Sequence, residues 1–340
     1  MLLDSLTVRS LRSCTDKLAF RNAGNLEKFI ADFDAHAAIS RSLACHVRGG
    51  LCFPFHVPHA AHRLSKDLDL YAYDAVDAVT GKVPDLLTEH GFTSVSTHWQ
   101  SSKTRAIKHL VRFNAQFRSK FEATVSIDID IACGLAHGLV DTVTIPAGYA
   151  LLGIRTARDI SALSRGSLIA DKIMSLGIGT VGYESLRSTP KQIYDIGKLI
   201  QHASVEDLAS MLSLYEKMTE FKLSLDSRGY TQDEVLDSIV SYLDRLGRPG
   251  ASPGLDEHWG HFGMFSTSML SKTQQARADH MERILLVLAC ARSLSRSLRR
   301  DAPHADEAAW LRGLVDEARS QRGPDARLAF LRKKLDLHAA

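Results

Sequence analysis

No stretch of the chain approaches the roughly 18 consecutive apolar residues that a membrane-crossing helix needs. The opening residues, MLLDSLTVRSLRSCTDK, scatter charge where a secretory signal would carry an apolar core. Both features lead us to expect a cytoplasmic protein with no membrane segment. Cysteine is sparse: Cys14, Cys45, Cys52, Cys133 and Cys290 are odd in number, widely spaced and never in a CxxC pair. That pattern supports neither a disulfide framework nor a zinc site. Charge imbalance is small too, a formal +3 over 340 residues, so the chain as a whole does not announce a polyanionic partner. With 45% apolar and 24% charged residues, the composition excludes disordered and collagen-like classes. The length suffices for one large domain or two ordinary ones.

Locally, the missing residues say more. Between Glu89 and Glu122 there is no acidic side chain, while Lys103, Arg105, Lys108, Arg112, Arg118 and Lys120 are all basic. Trp99, Phe113 and Phe117 accompany them, a mixture suited to phosphates and stacked bases, or else to a solvated hairpin face. Arg292, Arg296, Arg299 and Arg300 form a second basic cluster at helical spacing. Either cluster could track RNA.

Periodicity divides the chain. Leu26, Ile30, Phe33 and Ala37 predict a helix from Leu26 to about Ala44, leading into the turn Arg48-Gly49-Gly50. Alternation over 65–73 predicts a strand, 83–90 a short helix stopped by Gly91, and 95–131 two or three strands ending in 123–131. From about Ala157 the pattern turns helical, at 168–174, 193–200, 205–223 and 232–246. A loop at 248–254 precedes two long helices, near 266–300 and 305–335. His258 and His261 beside Trp259 read as packing groups of a glycine-rich loop. We expect an α+β fold, with a mixed α/β core over 1–155 and a helical domain over 156–340.

Residues two apart on a strand share a face, so Asp67 and Asp69 project together while Leu68 and Leu70 point to the core. The same holds for Asp128 and Asp130 among Ile127, Ile129 and Ile131. If the two strands are neighbours, three or four carboxylates converge, and their repulsion calls for a divalent cation, with oxygen ligands favouring Mg²⁺ or Mn²⁺. Such a centre serves phosphoryl or nucleotidyl transfer. Either strand taken alone could equally be an exposed face bearing solvated carboxylates. Gly49 and Gly50 free backbone N–H groups for a triphosphate, and Arg48, Arg63 and Ser65 stand close enough in sequence to supply charge and hydroxyl contacts. His56, His59 and His62 recur every third residue, but Pro58 interrupts any helix that would gather them on a metal.

The order Arg48-Gly49-Gly50, then Arg63-x-Ser65-x-Asp67-x-Asp69, then a later acidic strand resembles the nucleotidyltransferase superfamily that includes DNA polymerase beta. Ala170-Asp171-Lys172-Ile173 and Lys191-Gln192-Ile193-Tyr194-Asp195-Ile196 narrow the resemblance to the AbiEii/AbiGii toxin family, to which the MenT toxins belong, over roughly 26–200. The resemblance implies a small mixed sheet flanked by helices, with Asp67 and Asp69 as metal ligands and Ser65 near the nucleotide phosphates. Asp128, in preference to Asp130, would be the third carboxylate, and Lys172 and Asp195 would complete the pocket from the helical side. An interhelical salt bridge is the other reading of that last pair. The activity implied is transfer of a nucleoside monophosphate from an NTP to RNA, tRNA first among acceptors, by the toxin of a toxin–antitoxin or phage-defence pair with an antitoxin encoded nearby. A protein acceptor, or a catalytically silent member, are the alternatives. Two departures bear on the last: many relatives carry Lys where this chain has Arg48, and Ser or Thr where it has Leu51.

Overall fold

The computed structural model of the chain describes residues 7–17, 22–101, 106–114, 122–131, 140–143, 160–178, 186–224, 229–248, 255–271, 274–300 and 303–337. These fall into two compact units, Met1–Leu163 with Thr267–Lys272, and Ser164–Ser266 with Thr273–Ala340. No described helix is long and apolar enough to cross a membrane.

The first unit opens with α1 (Val8–Lys17) and α2 (Ala23–Ile39). Asn22 caps α2 by accepting from the Asn25 amide at 3.1 Å. β1 (Cys45–Arg48) then runs into the one-turn α3 (Gly49–Cys52), and β2 (Asp67–Ala72) is followed by α4 (Val76–Glu89) and the strands β3 (Ser94–Ser101), β4 (Ala106–Asn114), β5 (Glu122–Ile131), β6 (Val140–Val143) and β7 (Ile160–Leu163). Among the described residues they form one sheet in the order β3-β4-β5-β2-β1-β7-β6. It is mixed: β2 runs parallel to β5 and β1 to β7, and the remaining pairs are antiparallel. Val47, Leu68, Leu70, Ile127 and Ile129 are fully buried on one face, and alternation sends Arg48, Asp67, Asp69 and Asp128 to the other.

The second unit is helical. It comprises α5 (Arg165–Met174), α6 (Thr189–His202), α7 (Val205–Ser224), α8 (Gln232–Gly247), most of α9 (Leu255–Met269), α10 (Arg277–Arg300), α11 (His304–Ser320) and α12 (Pro324–Lys334). Ser164 caps α5, and Thr231 with Glu234 forms a reciprocal capping box on α8. α10 is the core of the unit: Ile284 to Ala291 are buried without interruption, as a helix packed on several sides requires.

Several elements differ from the sequence reading. The helix expected at 83–90 starts at Val76, because Val79, Val83 and Leu87 bury one continuous stripe past Gly81 and Pro84. Residues 258–263, expected in a loop, are helical in α9. His258, Phe262, Phe265 and Met269 bury one face there, and this outweighs the roughly 1 kcal/mol that each helical glycine costs. The single helix expected over 305–335 breaks where Gly323 adopts φ 86° and Pro324 begins α12. β1, β6 and β7, four residues each, are too short to show alternation. Three arginines of the second basic cluster are in ion pairs: Arg292 binds Asp244 at 2.6 Å, Arg296 binds Glu307 at 2.7 Å and Arg299 binds Asp237 at 2.8 Å; the Arg300 side chain lies outside the described residues.

Candidate active site

The acidic strands are neighbours. In the β2–β5 register Asp67 faces Ser126, Asp69 faces Asp128 and Tyr71 faces Asp130, while on the other flank Arg48 of β1 faces Asp69. Arg48, Asp69 and Asp128 therefore form one row across three strands, and Asp67 and Asp130 stand one pleat to either side. β4 continues the row with Lys108 opposite Asp128.

Ion pairs sort the carboxylates. Arg48 reaches along the face to Asp130 at 2.9 Å and lies over the Tyr71 ring at 4.8 Å. Lys108 approaches Asp128 at 3.2 Å, and Ser126 Oγ donates to the same carboxylate at 3.3 Å. Lys108 belongs to the basic segment read from the sequence; Lys103, Arg105, Arg118 and Lys120 lie outside the described residues.

The glycine turn presses against this row. Gly49 adopts φ 64°, and a Cβ placed there would fall inside the Asp69 carboxylate, 2.6 Å from its Cγ. A Cβ on Gly50 would overlap Ser65 Oγ and lie 3.1 Å from Arg63 Nη2. Only glycine permits both approaches. Ser65 is buried, with its hydroxyl donating to Asp67 O at 3.3 Å. Arg63 is completely enclosed: it donates to Leu64 O at 2.7 Å, lies over the Phe53 ring, and pairs its backbone with Leu270.

Asp32 of α2, which the sequence reading did not single out, belongs to this neighbourhood electrostatically. It is wholly buried, and neither carboxylate oxygen has a hydrogen-bond partner. Burial drives its pKa well above the usual carboxylate range, and the charges of Asp67 and Asp69 push it further, against a smaller pull from Lys28. Its sequence position off the Leu26-Ile30-Phe33 stripe gave no sign of this, since α2 is buried on nearly every side. Oxygen-only donors in a field this negative suit Mg²⁺ or Mn²⁺, so Asp67, Asp69 and Asp128 fit such an ion chemically. Among the described residues, no three side chains are drawn together as a finished metal shell; Asp128 is held by Lys108 instead.

In the second unit, Lys172 of α5 and Asp195 of α6 form an ion pair at 2.7 Å, with side chains only 3% and 0% exposed. Gln192 accepts a second bond from Lys172 at 3.4 Å, and Lys222 stands 3.7 Å from Asp171. His56 and His62 are buried on carbonyl groups, Leu163 O at 2.7 Å and Val57 O at 3.1 Å, and the His59 side chain lies outside the described residues. His258 packs with His280 and Trp259, and Phe262 stacks on His280.

Comparison with known proteins places this geometry in a lineage. A family model described as "Nucleotidyl transferase AbiEii toxin, Type IV TA system" matches residues 40–258. Among solved structures, MenT4, a nucleotidyltransferase toxin from Mycobacterium tuberculosis H37Rv, is 15% identical, with 96% of this chain and 99% of that one covered and a TM-score of 0.53. JHP933 from Helicobacter pylori is 14% identical, covering 86% and 99%, at a TM-score of 0.45. No curated protein matches. At 15% identity the likeness to MenT4 speaks for the fold alone; the family model spans most of the chain and includes the glycine turn, both acidic strands and the Lys172–Asp195 pair. The chain belongs to the AbiEii nucleotidyltransferase toxin family of type IV toxin–antitoxin systems.

Proposed function

We propose that this nucleotidyltransferase moves a nucleoside monophosphate from an NTP to a hydroxyl of RNA, tRNA being the first acceptor to test, and that it does so as a toxin controlled by a cognate antitoxin. The observation that carries the reading is the row Arg48–Asp69–Asp128 with Gly49 lodged against Asp69. In this reading the Gly49-Gly50 turn lets the triphosphate approach the backbone, with the Ser65 hydroxyl beside it. Arg48 supplies positive charge, and enclosed Arg63 holds the turn from behind. Asp67, Asp69 and Asp128 would hold Mg²⁺ or Mn²⁺, which when bound supplies charge neutralisation at the phosphates.

Asp128 is the carboxylate best placed to take the proton of the attacking hydroxyl, since Lys108 and Ser126 already fix its orientation. A bond forms between the acceptor oxygen and the α-phosphorus, the bond from the α-phosphorus to the bridging oxygen breaks, and pyrophosphate leaves. In the same proposal Lys172 and Asp195 belong to the catalytic set, with Lys172 also contacting nucleotide; their mutual pairing fixes the position of the lysine side chain. The cytoplasm, where NTP and RNA meet, is the compartment proposed.

The test is transfer of label from each α-labelled NTP, with Mg²⁺, into total RNA or into a protein extract. Label in RNA, lost in an Asp67→Ala/Asp69→Ala variant, is the expected result. Label confined to protein would refute the acceptor assignment. Undiminished toxicity of the double variant on expression would refute catalysis as the toxic act.

A further inference from the structure

The second unit holds a buried cation with idle hydrogen-bond donors. Arg283 of α10 is 2% exposed, and its Nε and Nη1 have no hydrogen-bond partner. Its guanidinium lies over the Tyr194 ring at 4.7 Å, and the Tyr194 hydroxyl in turn donates to Gln274 Oε1. Gly197 of α6 makes room for it: a Cβ there would come within 2.6 Å of Arg283 Cβ. Asp279 and Glu282 lie within electrostatic reach. Arg327 engages both, at 3.6 Å and 2.6 Å.

Beside it on α6 stands Lys198, half-buried and without an ion pair among the described residues. Its pKa is pushed down to about 8, by burial first and then by Arg283, with Asp279 and Glu282 opposing and Arg319 adding to the depression. One turn on, His202 is pushed down to about 4 by burial, Arg319, Lys198, Arg165 and Arg312. Arg312 and Arg319 of α11 do have a structural task. Arg312 donates to Gln201 O at 3.3 Å and Ala203 O at 2.9 Å, and Arg319 also donates to Gln201 O, which satisfies the carbonyl end of α6. That task needs neither Lys198 nor Arg283.

Burying a guanidinium with idle donors is costly unless an anion repays it. The carboxylates within reach, Asp279, Glu282 and Asp316, are already engaged by Arg327 and Arg312, whereas a tetrahedral phosphate accepts from an ammonium and a guanidinium together. We propose that Lys198 and Arg319, backed by Arg283, form a phosphate-binding site on the second unit that takes a phosphodiester of an RNA backbone. The RNA assignment rests on the acceptor proposed above; the phosphate chemistry does not. An acidic protein is the less fitting occupant, because among the described residues the cluster has no exposed large apolar side chain as an anchor. Trp310, one of two large apolar side chains exposed among the described residues, lies on the opposite side of α11 from Arg312 and Arg319 by helical spacing, beneath the Arg296 guanidinium.

Fluorescence anisotropy of a labelled single-stranded RNA, without NTP or divalent metal, tests the site independently of any chemistry. Lys198→Ala should weaken binding several-fold and flatten the dependence of log affinity on log salt by about 0.7, the share of one phosphate contact. Lys198→Arg should restore both, and Lys217→Ala, at an exposed lysine of α7, should change neither. Inorganic phosphate should raise the melting midpoint of the wild type more than that of Lys198→Ala. Equal RNA affinity and salt slope in Lys198→Ala and Lys217→Ala would overturn the RNA site, and if phosphate protection survives that result, free phosphate or nucleotide is the ligand. Poly-glutamate binding that vanishes in Lys198→Ala while RNA binding persists would overturn it in favour of an acidic protein. Because no NTP is present, failure here and failure of label transfer are separate outcomes.

Discussion

Replacing Gly49 by alanine separates what the glycine turn does for folding from what it does for the acidic row. Gly49 sits at φ 64°, where an L-residue costs about 1–2 kcal/mol, partly offset by the roughly 0.4–1 kcal/mol that alanine gains by stiffening the unfolded chain. Backbone strain alone is therefore a small loss. The steric term decides. The new Cβ would lie 2.6 Å from Asp69 Cγ, against an optimal separation of about 3.5–4.0 Å, so the carboxylate must retreat by roughly 1 Å. A displacement of that size in a reacting group costs about 10²-fold in rate. Gly49→Ala should thus lose about 1–2 kcal/mol of stability in urea melts yet most of its nucleotidyl transfer, read as label moved from α-labelled NTP and as loss of growth arrest on expression. Gly81→Ala is the control, since nothing lies within 4 Å of a Cβ there and a helical glycine gives back about 0.5–1 kcal/mol on conversion to alanine. A folded Gly49→Ala protein with wild-type transfer would show that Asp69 need not stand where the turn holds it.

Two further outcomes follow from buried charge. Lys172→Met removes the cation paired with the enclosed Asp195 carboxylate, and should cost about 3–5 kcal/mol in chemical denaturation; Lys172→Met/Asp195→Leu should recover most of that stability while remaining inactive, and a double variant no more stable than the single one would disprove the pairing energetics. Burial pushes His36, His109 and His258 each down to about 4, below the ordinary value near 6.5. The unfolded chain then binds protons that the folded one refuses, so stability is intact above about pH 6.5 and is lost as pH falls toward 4, by on the order of 1 kcal/mol per pH unit for each histidine. A urea midpoint unchanged between pH 7 and pH 5 would contradict this.

The sequence carried the acidic strands openly because their alternation is strict: Leu68 and Leu70 sit inside and Asp67 and Asp69 outside. It carried the glycine turn because no other residue tolerates that approach to Asp69. Much less was legible where burial on all sides removes periodicity. α2 buries Asp32, Asp34 and His36 together with its apolar stripe, so nothing in the spacing marked Asp32. Lys108 was read only as one member of a basic run, since its place opposite Asp128 depends on an antiparallel register fixed by residues far away in the chain. The arginines of α10 invited an RNA reading for the converse reason: helical spacing shows which cations share a face, but not that Asp244, Glu307 and Asp237 wait across from them.

What holds the row together is therefore the core beneath it. A one-residue slip of β2 against β5 would turn Asp67 and Asp69 inward and Leu68 and Leu70 outward, forfeiting about 1.5–3 kcal/mol for each buried aliphatic side chain and burying two carboxylates besides. The hydrophobic face thus enforces the pairing of Asp69 with Asp128 far more strongly than those like charges oppose it. The remaining repulsion is not removed by the fold but spread among local cations, with Arg48 on Asp130 and Lys108 on Asp128, while burial, with the charges of Asp67 and Asp69, raises the pKa of Asp32. A sheet built this way keeps its carboxylates aligned before any nucleotide arrives. Alignment is what a phosphoryl-transfer site must supply in advance, since most of its rate enhancement comes from positioning and preorganised charge.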